Sequence, residues 1–356
     1  MAYTTVNKSS SFMNTKLFTG SGADNNAITG VGFQPDLIWF KNRSAANDHA
    51  WVDSIRGARK GISSNNNTNA LTLNAGQDFD DFNADGFTVD TPSQLNSFNK
   101  SGDSIVAWNF KAGTAASGAT TGSGTAKTYS SSSSSTSGLS IVTYGGNATA
   151  GHTIPHGCGS APKTIIIKKI DGATRDWAVY MHSYGGGTDA LFLNSTSGGS
   201  TTADYWNNVA PTSSVFTLGT SDVVNGNGNN YIAYCYSDVV GYQKSGGYIG
   251  NNSTNGPFCY TGHRTQFLLI KRYAGGSDDW YVFDEERLGY NGDNKSVRPN
   301  KADTEASASG YALDLLSNGF IPRVANSAIN ADGGTYAYLS IGQTLVGSND
   351  NPCVAR

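Results

Sequence analysis

The chain has 356 residues, with 24 Lys and Arg against 27 Asp and Glu for a formal charge of -3, so no basic stripe is on offer to a nucleic-acid backbone. Charged side chains make up only 14% while Gly alone contributes 44 residues, and turn-forming Gly, Ser, Thr and Asn alternate with Val, Ile, Tyr and Phe. That is the composition of short strands joined by tight loops. No apolar run approaches the ~20 residues of a membrane helix, and the opening Met1-Ala2-Tyr3-Thr4 has no apolar signal core, so neither membrane insertion nor a secretory signal is expected.

In chain order, residues 1–16 are expected to form an N-terminal arm, followed by a first β-sandwich over 17–111. Within it Leu37-Ile38-Trp39-Phe40 is a short continuous apolar run closing on Lys41, the pattern of a strand buried on both faces. Trp51-Val52-Asp53 reads as the next strand, Asp85-Gly86-Phe87 as a turn entering another, and Val106-Ala107-Trp108 as a closing strand. Residues 112–138 are small and polar, with Ser throughout 130–135. Such a stretch buries too little apolar surface to order itself, so a flexible linker is expected there, with unit one swinging on it. A second sandwich is expected over 139–243 and a third over 244–347, packed as a rigid pair, with a tail over 348–356.

The three units repeat one another. Lys41, Lys168 and Lys271 each end an apolar run, and Trp51, Trp177 and Trp280 follow. Phe87, Phe216 and Phe320 come 46, 48 and 49 residues after the Lys, and Ala107, Ala233 and Ala337 at 66, 65 and 66. Self-similarity over about 100 residues is the spacing of domains, not of a solenoid. Helical periodicity is confined to Tyr311-Ala312-Leu313-Asp314-Leu315-Leu316, so the fold class expected is all-β, three consecutive antiparallel β-sandwiches. Cys158, Cys235, Cys259 and Cys353 share no repeated spacing, and free thiols are expected.

Candidate chemistry is sparse. Glycoside hydrolysis needs two carboxylates across a sugar bond, but Glu285, Glu286 and Glu305 are the only glutamates and none lies in an alternating acidic strand. Asp53 with Arg56 and Asp284 with Arg287 recur as a pair three apart, which reads as a turn brace. Asp81-Phe82-Asn83-Ala84-Asp85-Gly86 matches the first half of a calcium loop, yet Pro92 stands where the bidentate Glu would be needed. His152, His156 and Cys158 have no counterparts in the other units, so no metal or other cofactor is expected. The recurring lysines read as strand-end charges. The functional hint lies in the aromatics, of which Trp51, Trp177 and Trp280 read as core. Trp206 is unmatched and flanked by Asp204, Tyr205 and Asn207, a set that suits a ring stacking on a sugar face.

The string Ile28-Thr29-Gly30-Val31-Gly32-Phe33-Gln34-Pro35-Asp36-Leu37-Ile38-Trp39-Phe40-Lys41-Asn42-Arg43 resembles one found in tail and virion proteins of marine tailed phages. Ile105-Val106-Ala107-Trp108-Asn109-Phe110-Lys111-Ala112-Gly113, Val215-Phe216-Thr217-Leu218-Gly219 and Asn229-Asn230-Tyr231-Ile232-Ala233-Tyr234-Cys235 are similar in the same way. The resemblance runs from about Lys16 to Arg356 and implies a chain of concanavalin-A-like (laminin-G-like) sandwiches in a structural virion protein. It supplies no catalytic or binding residues. The expectation is a fibre- or tail-associated virion protein of a bacteriophage that binds host surface polysaccharide without cleaving it. Its partners would be other virion proteins, held through the N-terminal arm, and further copies of itself in a homo-oligomer. The alternative is a particle component without a ligand, such as a head decoration, capsid fibre or neck protein.

Overall fold

The computed structural model describes residues 4–287, 291, 295–306 and 310–345. One sheet plan occurs three times, always antiparallel. In unit one the strands Met13–Thr19, Ser104–Phe110, Leu37–Asn42 and Ala50–Asp53 lie side by side in that order. Unit three repeats it with Gln243–Ile249, Thr335–Thr344, His263–Ala274 and Trp280–Asp284. In unit two Leu139–Gly145, Asn230–Ser237, Pro162–Lys169 and Ala178–Met181 occupy the middle of an eight-stranded sheet. Each of these sheets has a three-stranded partner, built around Gly86–Val89, His152–Pro155 and Gly319–Pro322 respectively. The all-β expectation therefore holds, with β-sandwiches as the building unit.

The apolar runs are continuous because both faces of the larger sheets are covered. Ile38 and Phe40 point into a core shared with Phe79, Phe87 and Val89 of the partner sheet. Ile165 and Ile167 do the same with Phe216, and Leu268 and Ile270 with Phe320. The residues between them (Leu37 and Trp39, Ile166, Phe267 and Leu269) point the other way. They meet in one central core that also takes Trp51, Trp108, Trp177 and Trp280 from all three units. Trp39 packs at tilted or edge-to-face angles against Trp51, Trp108 and Phe267 at centroid distances of 4.5, 5.2 and 6.2 Å, and Trp51 against Trp177 at 5.3 Å.

This central core corrects the expectation of a swinging first unit, since unit one supplies more of it than a tethered domain could. Residues 112–138 are not a linker. Thr114–Ala119 and Thr128–Ser134 pair as a hairpin that extends the unit-two sheet, with Ser131 opposite Val142 and Ser132 opposite Ile141. Composition misleads here because the hairpin's backbone groups are satisfied by an established sheet edge, so little apolar burial of its own is required. The N-terminal segment is not a free arm either. From Thr4 onward it is folded onto the chain: Val6 is fully buried in the central core, Thr5 donates to Thr136 O at 3.0 Å, and the first strand starts at Met13. Leu313–Leu316 is a strand rather than a helical turn. Cys158, Cys235 and Cys259 are free and buried, while Cys353 lies outside the described residues.

Register also refines the repeat. Trp39 pairs with Trp51, Ile166 with Val179 and Leu269 with Val282. Trp51 is thus equivalent to two valines, and His49 is the true counterpart of Trp177 and Trp280. Likewise Phe40 pairs with Ala107 and Ile167 with Ala233, but Ile270 pairs with Tyr338, so Tyr338 and not Ala337 holds the third position. A slip of one residue moves a side chain to the opposite face.

Polar contacts lock the units in one cyclic sense. Lys168 of unit two donates to Arg175 O at 2.5 Å and to Asn67 O of unit one at 3.0 Å. Lys271 of unit three donates to Asp278 O at 2.5 Å and to Thr196 O of unit two at 2.9 Å. Lys41 of unit one closes the ring, donating to Asn47 O at 2.5 Å and to Ala302 O of unit three at 2.8 Å. A ring N–H runs alongside each: Trp177 Nε1 to Ser63 O at 2.9 Å, Trp280 Nε1 to Phe192 O at 2.8 Å, and His49 Nε2 to Arg298 O at 3.0 Å. His49 Nδ1 accepts from Trp39 Nε1 at 2.8 Å, which leaves the imidazole proton on Nε2. The lysines are therefore buried clamps, not strand-end charges, and each ammonium is satisfied by backbone carbonyls as burial demands.

Burial lowers all three lysines from 10.5 to about 8. Between pH 8 and 10.5 the unfolded chain then holds more protons than the folded one, so stability rises with pH in that window. Buried tyrosines such as Tyr144, Tyr234 and Tyr248 are pushed well above 10.0 by desolvation, so above pH 10 the unfolded chain loses protons first and stability falls. Burial lowers the histidines, His263 from 6.5 to about 3, so stability also falls with acid below pH 6.5. Urea midpoints measured across pH should peak between about pH 8 and 10. A maximum near pH 5 would contradict the lysine clamps.

Candidate functional site

Of the residues proposed from sequence as a ligand platform, Trp206 presents no exposed ring. Trp206 sits in a single helical turn, Ala203–Trp206, capped by the Thr202 hydroxyl accepting from Asp204 N at 3.3 Å. Its ring is 1% exposed, packs against Tyr180 at 5.6 Å in the outer core of unit two, and donates to Asp189 O at 3.0 Å. Tyr205 is half-buried against Phe192 at 5.7 Å. Asp204 is exposed, and Asn207 ends the turn in the left-handed region at φ 53°. Polar neighbours marked a helix cap, not an exposed ring.

Asp85, His152, His156, Glu285 and Glu305 are each engaged by neighbouring groups. Asp85 accepts from Gly30 N at 2.9 Å and Gly32 N at 2.6 Å, and these two backbone bonds hold its carboxyl below the usual range. It latches a loop, and no group of three metal-ligating side chains occurs among the described residues. His152 bonds Asn225 and Thr120 at 2.9 and 2.7 Å, and His156 accepts from Cys158 N at 3.2 Å. Burial pushes the Cys158 thiol far up. Glu285 is held by Arg264 and Gln266, and Glu305 joins Arg43 of unit one to Arg287 of unit three.

Asp53–Arg56 and Asp284–Arg287 are buried ion pairs at 2.6 and 2.5 Å, as the repeat suggested. They do more than brace a turn. Asp53 accepts from Tyr234 of unit two at 2.9 Å, and Asp284 accepts from Trp108 of unit one at 2.8 Å. At the third seam Met181 holds the acid's position and Leu339 the donor's, both in the central core.

Rings left in solvent occur elsewhere. Phe258 and Tyr260 are each 51% exposed, with centroids 6.4 Å apart, in a chain that buries most of its large aromatics. Lys244 Nζ lies 5.2 Å from the Tyr260 centroid and donates to Tyr260 O at 3.0 Å. Tyr260 borders a cleft of about 210 Å³ that continues through Asp238, Val239 and Val240 into one of about 750 Å³ lined by Thr4, Thr5, Asn7 and Ser160. Val240 is 67% exposed on the ridge between them, and Asp238 accepts from Ser245 N at 2.8 Å. Two exposed rings, tilted 60° to each other, next to hydroxyls, an ammonium and one carboxylate can hold a sugar ring by stacking on one of them and hydrogen bonds from its neighbours. Sequence reasoning missed it, although Phe258-Cys259-Tyr260 shows the signal: Cys259 points inward, so its neighbours point out.

No curated protein and no solved structure shows a significant match to the chain. Against protein families, residues 8–344 match one family across all three units. The chain accordingly belongs to the family described as Domain of unknown function (DUF7483).

Proposed function

We propose that the protein is a structural virion protein of a tailed phage, fibre- or tail-associated, that binds surface polysaccharide at the Phe258–Tyr260 face without cleaving it. The observation that carries the binding part is this exposed ring pair, with Lys244 beside Tyr260 and Tyr260 on the edge of a cleft that also takes in Asp238 and Gln243. The virion part rests on the sequence resemblance and on a scaffold in which Lys41, Lys168, Lys271 and the Arg43–Glu305 pair bond across units. Copies arrayed on a particle would multiply a weak single site through effective concentration.

In titrations of the isolated protein against host polysaccharide fragments, Phe258→Ala with Tyr260→Ala should weaken binding by about tenfold or more, since losing a stacked ring costs ~1 kcal/mol or more. The melting temperature should hold, because both rings are half in solvent. Unchanged affinity in the double variant, or release of reducing sugar by the wild type, would overturn this reading. The interlocked core favours one second reading, a particle component that binds no ligand. Imaging the protein on the head with no glycan binding in solution would select it.

A further inference from the structure

Internal symmetry exposes a second site at the seam between units one and two. At the seam between three and one, Glu305 N donates to Arg43 O at 3.0 Å. Its carboxylate takes Arg43 Nε and Nη2 at 2.9 and 3.0 Å and reaches Arg287 Nη1 at 3.4 Å. The same backbone bond recurs at the next seam, from Ala70 N to Ile170 O at 3.3 Å. Ala70 therefore stands where Glu305 stands, Ile170 where Arg43 stands, and Arg56 where Arg287 stands. At the remaining seam Tyr184 and Tyr273 take the two arginine positions and pack ring on ring at 4.6 Å.

The consequence falls on Arg56. Its Nε pairs with Asp53 at 2.6 Å and its Nη2 reaches Trp51 O at 3.4 Å, while Nη1 is buried with no hydrogen bond of good geometry beside the Tyr234 hydroxyl. The side chain is 4% exposed. A buried unpaired guanidinium N–H costs free energy. A cavity of about 310 Å³ opens at this place, lined by Arg56, Lys60, Ala70, Thr143, Ile170 and Asn230, with Asp171 also on its wall. That volume is at the lower end of the ~300–1,000 Å³ typical of small-ligand sites.

We propose that this cavity binds a small carboxylate with a sugar-ring or similarly compact body, the carboxylate taking the place that Glu305 fills at the equivalent seam. Arg56 supplies the buried cation and Lys60 a second at the rim, where its ammonium bonds the Thr72 hydroxyl at 2.6 Å. Ile170, in place of a second arginine, offers an apolar wall to the body. Asp171 is the opposing charge, and it is engaged by Asn230 through N at 2.8 Å and Nδ2 at 2.6 Å. The site is at a different seam from the Phe258–Tyr260 face, so the two proposals fail independently.

The test titrates the whole protein with glucuronate, glucose and acetate, by calorimetry or chemical-shift mapping. Glucuronate should bind at least about tenfold more tightly than glucose; acetate binding as well as glucuronate would assign recognition to the carboxylate alone and keep the site, with no role for the body. Ala70→Glu supplies the carboxylate from within: it should abolish glucuronate binding and raise the melting temperature by about 2 °C or more. Ala70→Gln, equal in size but neutral, should block binding and stabilise less. Glucuronate binding no tighter than glucose, binding that survives Ala70→Glu, or an Ala70→Glu protein that melts below Ala70→Gln would each overturn the proposal.

Discussion

Asp284→Ala should cost about 3–5 kcal/mol of stability, the loss typical of breaking one partner out of a buried ion pair. Asp284 accepts four bonds, from Glu286 N at 3.0 Å, Arg287 N at 2.9 Å, Arg287 Nε at 2.5 Å and Trp108 Nε1 at 2.8 Å. Removing it leaves Arg287, whose side chain is 0% exposed, with only Glu305 at 3.4 Å and Val282 O at 2.8 Å. The guanidinium also lies 5.2 Å from the Trp108 ring, so its displacement would disturb the central core. The penalty comes from the orphaned charge rather than from the pair's net worth. The third seam shows the alternative, since Met181 and Tyr184 occupy the acid and arginine positions there. Asp284→Met combined with Arg287→Tyr should therefore destabilise less than Asp284→Ala alone in urea titrations. A double variant worse than the single would contradict this.

How far the sequence reveals this molecule depends on the range of the interaction. Strand positions, the all-β class and the buried character of Trp51, Trp177 and Trp280 follow from local patterning. The repeat, too, is legible, because Lys41, Lys168 and Lys271 hold equivalent places. What the Lys does is not legible: its acceptors at Asn67, Thr196 and Ala302 are backbone carbonyls of another unit, and a carbonyl leaves no trace in residue type. His49 was hidden because Trp51 stands two residues away and matches the other tryptophans by type. Composition misjudged residues 112–138, since small polar strands can order on an existing edge. At the candidate sites, Trp206 misled through its polar neighbours, and Ala70 gives no signal at all until its symmetry mates are known.

The central claim is that three sandwiches share one core and so fold as one cooperative body. Trp108 tests it, since it packs on Trp39 and Phe267 at 5.2 and 5.9 Å and bonds Asp284 across a seam. Trp108→Ala should cost about 3–5 kcal/mol and lower the melting of all three units together, although the residue belongs to unit one. Scanning calorimetry of the wild type and Trp108→Ala is the direct measurement. A single transition in each, with calorimetric and van't Hoff enthalpies equal and the variant's whole transition moved down, is the predicted result. Separate transitions in the wild type, with only one of them shifted by Trp108→Ala, would show three independent domains and contradict it.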